Sequence, residues 1–553
     1  MKILNVKAIA IILLFVMQSI YAQTPNWQWA FGAGSTGAEM ATANATDAAG
    51  NLYTVGWYTS SNLTFGSITL TNPGVGTSDI FITKHSATGT ALWAKTFGGS
   101  DGEIASSISL DSNGDIYVTG WFSSSNVTFG TQTLTNSSAV NSDVFVVKLN
   151  SSGNVVWAKS AGGNATDRGQ SICVDANGNV IVAGLFISST INFGAVNVNH
   201  SGSGNNDLFI VKYDASGNPL WTRGAGGNGS DVANSIATDS GNNIYVTGFF
   251  SSASINFSGN TLTNSGIGSQ DLFLVKYNSS GTLQWSVKSS GHLDEYGAAL
   301  AVSGTGVYLT GAFSSSVTTL DNVNLTNNAA GTYDAIVAKY NLSGGLLWAK
   351  KIGGADADVG IDIDLDGQDR VFVSGNFASG SINADGIILI NALTGYRDMF
   401  YAAYDATGFN LWATKIGDSF DESANGIAVN AQGSTIYAVG MYNSNSVAFG
   451  SNSVIKFCAD DVFIAKLGGL SLNLNEQDIS EISLFPNPAK NFFYVNGIVL
   501  DKIEVMSLDG KTIFTKEIEN PTSRIELDQL SHGIYLVKCY SKEDMYYQKI
   551  VVE

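Results

Sequence analysis

Short apolar runs separated by polar turn residues fill most of the chain, and they recur in one order. In one copy, Val155-Val156-Trp157-Ala158-Lys159 is followed by Gly162-Gly163 and then by Asp167. The run Gln170-Ser171-Ile172-Cys173-Val174 comes next and ends in Asp175-Ala176-Asn177-Gly178-Asn179. That is a turn sequence, because Asp and Asn bond nearby backbone and Gly accepts positive φ. Val180–Gly184, a longer Ser/Thr/Asn-rich stretch holding Phe193-Gly194, and Asp207–Tyr213 complete the copy. Each run has the length of a strand, and sustained helical periodicity is missing. The tryptophan marks the period: Trp29, Trp93, Trp157, Trp221, Trp285, Trp348 and Trp412 lie 64, 64, 64, 64, 63 and 64 residues apart. Near-constant spacing means one supersecondary unit stacked many times.

Four strands per unit and seven units predict an all-β, seven-bladed β-propeller over residues 23–467. The first copy opens on a tryptophan strand (Trp27, Trp29) with no Asp-led strand before it. The last ends at Asp461–Lys466 with no tryptophan strand after it. The N-terminal strand is therefore expected to close the last blade and remove the open edges. A short turn joins each Asp-led strand to the next tryptophan strand, so those two pair within a blade and the strand after the glycine pair becomes innermost.

Two acidic positions repeat with the unit. The tenth residue after each tryptophan is Glu39, Glu103, Asp167, Asp231, Glu295, Asp358 or Glu422. On the blade assignment these would ring one mouth of the channel. One reading makes them a cation site or a docking collar for a basic ligand. The favoured reading makes each an acceptor for backbone N–H groups of the loop between blades, because repeated units carry structural residues by necessity. The second set opens the Asp-led strands: Asp79, Asp143, Asp207, Asp271, Asp334, Asp398 and Asp461. These are expected to bond loops. The lysines five residues on (Lys84, Lys148, Lys212, Lys276, Lys339 and Lys466, with Ala403 in the remaining unit) are expected to snorkel or to pair with a neighbouring acid. The turn acids Asp47, Asp111, Asp175, Asp239 and Asp366 invite a calcium reading that turn chemistry accounts for better. The longest segments of the units, those holding Phe65, Phe129, Phe193, Phe257 and Phe449, are the expected binding face.

Composition narrows the partners. A net charge of −19 and a pI of about 4.5 exclude nucleic acid, whose phosphates would be repelled. Cys173, Cys458 and Cys539 show neither metal-ligand spacing nor an evident pairing, so no metal site is assigned to them and free thiols are expected. Residues 1–22 have the pattern of a secretory signal peptide: Lys2 and Lys7, the apolar run Ala8–Met17, and Ala22 at the cleavage position. No later stretch is apolar enough for a transmembrane segment. Residues 468–479 break the repeat as a linker. From Ser480 onward seven strand patterns between Ile482 and Val552, with Asp509-Gly510 as a hairpin turn, predict a small β-sandwich over 480–553.

Two resemblances follow from these residues. Asp111-Ser-Asn-Gly-Asp-Ile-Tyr-Val-Thr-Gly120 and its copy at Asp239–Gly248 resemble the bacterial SBBP β-propeller repeat. The match weakens at Val302–Gly306, which lacks the Asp, and at Ala403. That resemblance implies a fold and no chemistry. The C-terminal region resembles the sorting domain of the Bacteroidetes type IX (Por) secretion system. The matching segments are Leu484–Ala489, with Pro486, Asn487 and Pro488; Leu530–Lys538, with Gly533 and Tyr535; and Lys549–Val552. This resemblance implies the type IX machinery as a partner, passage through the outer membrane, and a secreted or cell-surface product.

No nucleophile elbow, zinc-protease motif or phosphate loop is present, and His85, His200, His292 and His532 do not cluster in sequence. No catalytic residue is assigned. The function expected is a non-enzymatic exported scaffold that binds a glycan or a protein. The alternative is a carbohydrate-active hydrolase or lyase with a site on one propeller face. An enzyme would require one unit to depart from the others with polar groups converging.

Overall fold

The computed structural model describes residues 25–74, 76–138, 140–202, 205–266, 268–468, 482–497, 500–507, 512–518, 523–528, 530–540 and 545–552. The expected signal peptide, all but the first residue of the expected linker, and Asp509-Gly510 lie outside them. The chain divides into two compact units, Met1–Ser471 and Leu472–Glu553. Every regular element among the described residues is a β-strand.

One sheet shows how the repeat folds. Strands Asp167–Val174, Val180–Phe186, Asp207–Tyr213 and Pro219–Ala225 lie side by side in chain order, each antiparallel to the next. Val180–Phe186 and Asp207–Tyr213 are buried along their whole length. Neighbouring sheets cover both faces, which is why these strands are continuous apolar runs rather than alternating ones. The turn after the first strand is built by Asp175, whose Oδ1 accepts the Asn177 and Asn179 N–H groups at 2.9 Å each. Gly178 supplies the positive φ of 78° that the turn needs. The first strand carries a bulge, its register shifting between Gly169 and Ser171.

The same order recurs in sheets opened by Glu39, Glu103, Asp231, Glu295, Asp358 and Glu422. The Glu422 sheet takes its outermost strand from the other end of the chain. Trp27–Ala33 pairs with Asp461–Gly468, placing Phe31 opposite Ile464. The cores lie between sheets rather than within them. Tyr117, Val144 and Val146 of the Glu103 sheet meet Val182, Phe209 and Val211 of the Asp167 sheet. Val439, Val462 and Ile464 of the Glu422 sheet meet Ala41, Leu52 and Phe81 of the Glu39 sheet.

The tryptophans tie each outermost strand to the following sheet. Trp157 packs against Gly217, and its Nε1 donates to the Ala215 carbonyl at 3.1 Å. Trp29, Trp221, Trp285 and Trp348 make the equivalent bonds to Ala87, Ser279, Leu342 and Ala406. Small outer hairpins close each repeat. Their phenylalanines are buried. Phe65, Phe129, Phe257 and Phe449 are 0% exposed and Phe193 is 4% exposed. The hairpin strands alternate exposed and buried positions, so each phenylalanine points inward onto the phenylalanine of its own sheet, as in Phe65–Phe81 at 5.3 Å and Phe193–Phe209 at 5.1 Å.

In the C-terminal unit, Ile482–Phe485, Phe492–Gly497 and Arg524–Glu526 form one sheet. Lys502–Met506, Thr512–Glu517, Gly533–Tyr540 and Met545–Val552 form a second. Leu484, Phe493, Ile503, Val505, Val537 and Ile550 build their shared core.

Trp157 is 7% exposed, whereas Trp221 is half-buried. Trp157→Ala is expected to destabilise the protein by about 3–5 kcal/mol, and Trp221→Ala by visibly less. Denaturant unfolding of the two variants checks this order.

Candidate functional site

The seven acids that follow the tryptophans open the innermost strands, and all seven are 0% exposed. Each is anchored twice. Its backbone N–H donates to the residue just before an aspartate of the preceding sheet. Glu39 bonds Asp460 at 2.8 Å, Glu103 bonds Ser78 at 2.6 Å, Asp167 bonds Ser142 at 2.8 Å and Asp231 bonds Asn206 at 2.8 Å. Glu295 bonds Gln270 and Asp358 bonds Tyr333, both at 2.7 Å, and Glu422 bonds Arg397 at 2.9 Å. Its carboxylate then meets a serine of its own sheet. Ser188 Oγ donates to Asp167 at 2.7 Å, Ser252 to Asp231 at 2.6 Å and Ser379 to Asp358 at 2.7 Å. Ser60 bonds Glu39 and Ser315 bonds Glu295. Backbone N–H groups of Ser124 and Ser444 reach Glu103 and Glu422 at 3.2 and 3.1 Å.

The second set of aspartates faces the first across each junction. All are buried, at 0–1% exposure. One oxygen of each accepts a loop N–H, as Ser137 N–H to Asp143 at 2.7 Å and Ser265 N–H to Asp271 at 2.9 Å. The other oxygen, Oδ1, has no hydrogen-bond partner in any of the seven. The glycine pair explains its surroundings. A Cβ on Gly162 would lie 2.1 Å from Asp143 Oδ1, and Gly34, Gly98, Gly226, Gly353 and Gly417 press on their aspartates in the same way. Lysines neutralise three of these groups: Lys288 with Asp271 at 2.7 Å, Lys351 with Asp334 at 3.2 Å and Lys415 with Asp398 at 2.8 Å.

Two buried acids per junction cannot both ionise freely. Burial, with the facing aspartate adding to it, pushes Glu39, Asp167, Glu295, Asp358 and Glu422 up to about 7 despite their serine bonds. Burial raises Glu103 and Asp231 as well.

This geometry corrects the collar reading. The seven carboxylates stand between sheets, closed off from solvent and already bonded, and none presents an open face to a cation or a basic ligand. Among the described residues no group of three or more His, Cys, Asp or Glu is placed to hold a metal. The serines were missed in sequence. They repeat with the unit at Ser60, Ser124, Ser188, Ser252, Ser315, Ser379 and Ser444, a signal hidden by the serine-rich stretches that contain them.

The other repeated groups are also tied into the scaffold. Lys84, Lys148, Lys276 and Lys339 lie over the rings of Tyr53, Tyr117, Tyr245 and Tyr308. Lys212 pairs with the turn residue Asp175 at 2.7 Å. Burial pushes Asp47, Asp175 and Asp239 up, but hydrogen bonds from Asn51, Lys212 and Asn243 outweigh it and hold all three below the usual carboxylate range. His85 is enclosed by Phe31 and Phe65, and burial lowers it to about 4.

In the C-terminal unit the sorting-motif segments come together. Asn487 Oδ1 accepts the Val551 N–H at 2.9 Å, and Ala489 N–H donates to the Val551 carbonyl at 2.7 Å. Pro486 and Pro488, both exposed, flank that contact. Gly533 pairs with Val552 and Leu536 with Lys549 along the last two strands, and Tyr535 OH donates to the Ser531 carbonyl at 2.9 Å.

Residues 483–553 match the family described as the secretion system C-terminal sorting domain, Por_Secre_tail. The chain is 27% identical over 454 residues to an uncharacterized WD repeat-containing protein of Acanthamoeba polyphaga mimivirus, covering 67% of this chain. It is 28% identical over 187 residues to the regulatory protein FlaEY of Caulobacter vibrioides, covering 31% of this chain. The matches span only 32% and 19% of those proteins' own lengths. Among solved structures it is similar to the RRP9 WD40 repeats, with a TM-score of 0.41 and 9% identity over 80% of this chain and 99% of that one.

Ordinary carboxyls titrate near pH 4, whereas burial pushes Asp167 and Asp358 up to about 7. The folded protein therefore holds more protons between these values, and its stability is expected to fall as pH rises from about 5 to 8. Calorimetry across that range checks the sign. Asp167→Asn keeps the serine bond and should reduce the slope by up to about 1.4 kcal/mol per pH unit. Ser188→Ala leaves Asp167 without its hydroxyl partner and should cost about 1–3 kcal/mol at neutral pH, read by denaturant unfolding.

Proposed function

We propose that this chain is an exported, non-enzymatic binding scaffold. Residues 1–22 direct export, residues 23–467 form a closed seven-bladed β-propeller, and residues 480–553 deliver it by the type IX route to the cell surface or the medium. The observation that carries the delivery half is the sorting-domain match over residues 483–553. Closure is supported by the pairing of Trp27–Ala33 with Asp461–Gly468. It is also supported by the Glu39–Asp460 bond, which repeats the bond made at every other junction. Asn425 Nδ2 to the Ala41 carbonyl at 2.9 Å and Tyr437 OH to the Gly50 carbonyl at 2.7 Å join the same first and last sheets.

The scaffold half rests on how the polar residues are used. The repeated carboxylates bond serines and loop N–H groups at the junctions, with a lysine added at three of them, so they hold sheets together instead of converging on a reactant. Ligands of such a scaffold meet the loops and the clefts between sheets, where the units differ. A glycan or a protein is the ligand class proposed, and the acidic surface disfavours nucleic acid.

Deleting residues 482–553 is expected to trap the protein in the periplasm, while the full chain reaches the surface or the medium. Fractionation and immunoblotting decide this, and equal export of the truncated chain would refute the delivery role. Turnover of a polysaccharide panel by the exported protein would refute the non-enzymatic reading.

A further inference from the structure

At the end of the sheets opposite the carboxylates, the turns after the innermost strands meet differently from junction to junction. Between the Asp167 and Asp231 sheets, Asn242 Oδ1 accepts the Ala176 N–H at 2.9 Å. Between the Glu295 and Asp358 sheets, Thr305 Oγ1 donates to Asp369 Oδ2 at 2.6 Å. Between the Asp358 and Glu422 sheets, Gly367 N–H donates to the Ala431 carbonyl at 2.8 Å. Asn242 and Asp369 occupy the same turn position, with φ of 60° and 59°. Asn and Asp tolerate that left-handed conformation, so a side chain can be placed there to reach the next turn.

Between the Glu103 and Asp167 sheets this position is Gly178, which has no side chain to bridge with. The Ser112 N–H, counterpart of Ala176 N–H, has no protein partner among the described residues. The turns stay apart and leave a cleft of about 430 Å³. Leu110 and Val174 provide its apolar lining, and Asn113 and Asn177 add amides. Lys148 also lines it, held by Asp115 at 2.9 Å over the Tyr117 ring. Asp111 stands beside it, accepting Tyr117 OH at 3.0 Å.

We propose that this cleft binds a neutral saccharide. The inference deepens the binding-scaffold reading and rests on it. The volume is that of a small-molecule site. The lining offers both donors (Ser112 N–H, Lys148, the amides) and acceptors (the amide oxygens, Asp111), and a hydroxyl is the ligand group that answers both. An anionic ligand would face Asp111 on a chain of net charge −19. A cation would meet the Lys148 ammonium. The apolar lining suits the C–H face of a sugar ring.

The test titrates the full chain with maltotriose, cellotriose and chitotriose, and with trigalacturonate as the acidic counter-probe, using calorimetry and ligand-observed NMR. Gly178→Asn places at this turn the side chain that Asn242 carries next door, and its Oδ1 can close on the Ser112 N–H. The expected result is binding of at least one neutral trisaccharide, weakened tenfold or more by Gly178→Asn. Asn113→Ala, at an exposed position, should also weaken it. Asn242→Gly should not. Equal binding by wild type and Gly178→Asn would overturn the site and leave the scaffold reading standing. Binding of trigalacturonate alone would overturn the ligand class. Binding of none of the four probes would overturn the inference, while a specific protein captured by the exported chain would still sustain the scaffold reading.

Discussion

A carboxylate without solvent must find hydrogen bonds, a counter-charge or a proton, and this requirement organises the repeat region. Every junction buries two acids, such as Asp167 and Asp143. The serine, the loop N–H groups and the close glycine are the consequences. Ser188 supplies one bond to Asp167, and Ser137 N–H supplies one to Asp143. Gly162 lets the backbone lie against an oxygen that no side chain could approach. Three consecutive junctions add a lysine as counter-charge, at Asp271, Asp334 and Asp398. At those same junctions burial still raises the facing acids Glu295, Asp358 and Glu422 to about 7, so a lysine partner and a raised carboxyl act together there.

The innermost strands pose a related problem, because each has one edge with no neighbouring strand. Side chains of the adjacent sheet fill in for the missing ladder. Ser107, Ser171 and Ser235 accept the N–H groups of Ile172, Ile236 and Leu300 at 3.3, 3.2 and 3.1 Å. Asp362 and Asp364 take over this task in the Asp358 sheet, accepting Ile427 and Val429 N–H at 2.8 and 2.7 Å. Burial pushes them up to about 6 and about 7. Their departure from the repeat therefore substitutes one acceptor for another.

Much of the fold is legible in the sequence because local chemistry and global pattern agree. Runs such as Val180–Gly184 are apolar throughout because sheets cover both faces, and Asp175–Asn179 announces its turn by composition. The order of strands within a sheet follows from one short turn and one glycine pair. The site was harder to see. Glu39 and its equivalents carry charge, and charge suggests exposure until a partner is known. That partner, Ser60, lies 21 residues away in a stretch whose composition suggests only a loop. Phe65 and its equivalents lie in the longest segments of the units, and period-two alternation turns them inward. The cleft beside Gly178 depends on what that residue lacks relative to Asn242, and only the contact between neighbouring turns reveals it.

Buried acids such as Asp167 and Asp358 are expected to keep their protons near neutrality and to hold adjacent sheets together in that form. Infrared difference titration of the carboxyl band, with carbon-13 NMR of labelled aspartate and glutamate, tests it without perturbing the chain. Protonated carboxyl signals persisting to pH 6 and titrating with midpoints near 7, lost selectively in Asp167→Asn and Asp358→Asn, would agree with the structure. Complete ionisation of every Asp and Glu by about pH 5, within the range of unperturbed carboxyls, would contradict it.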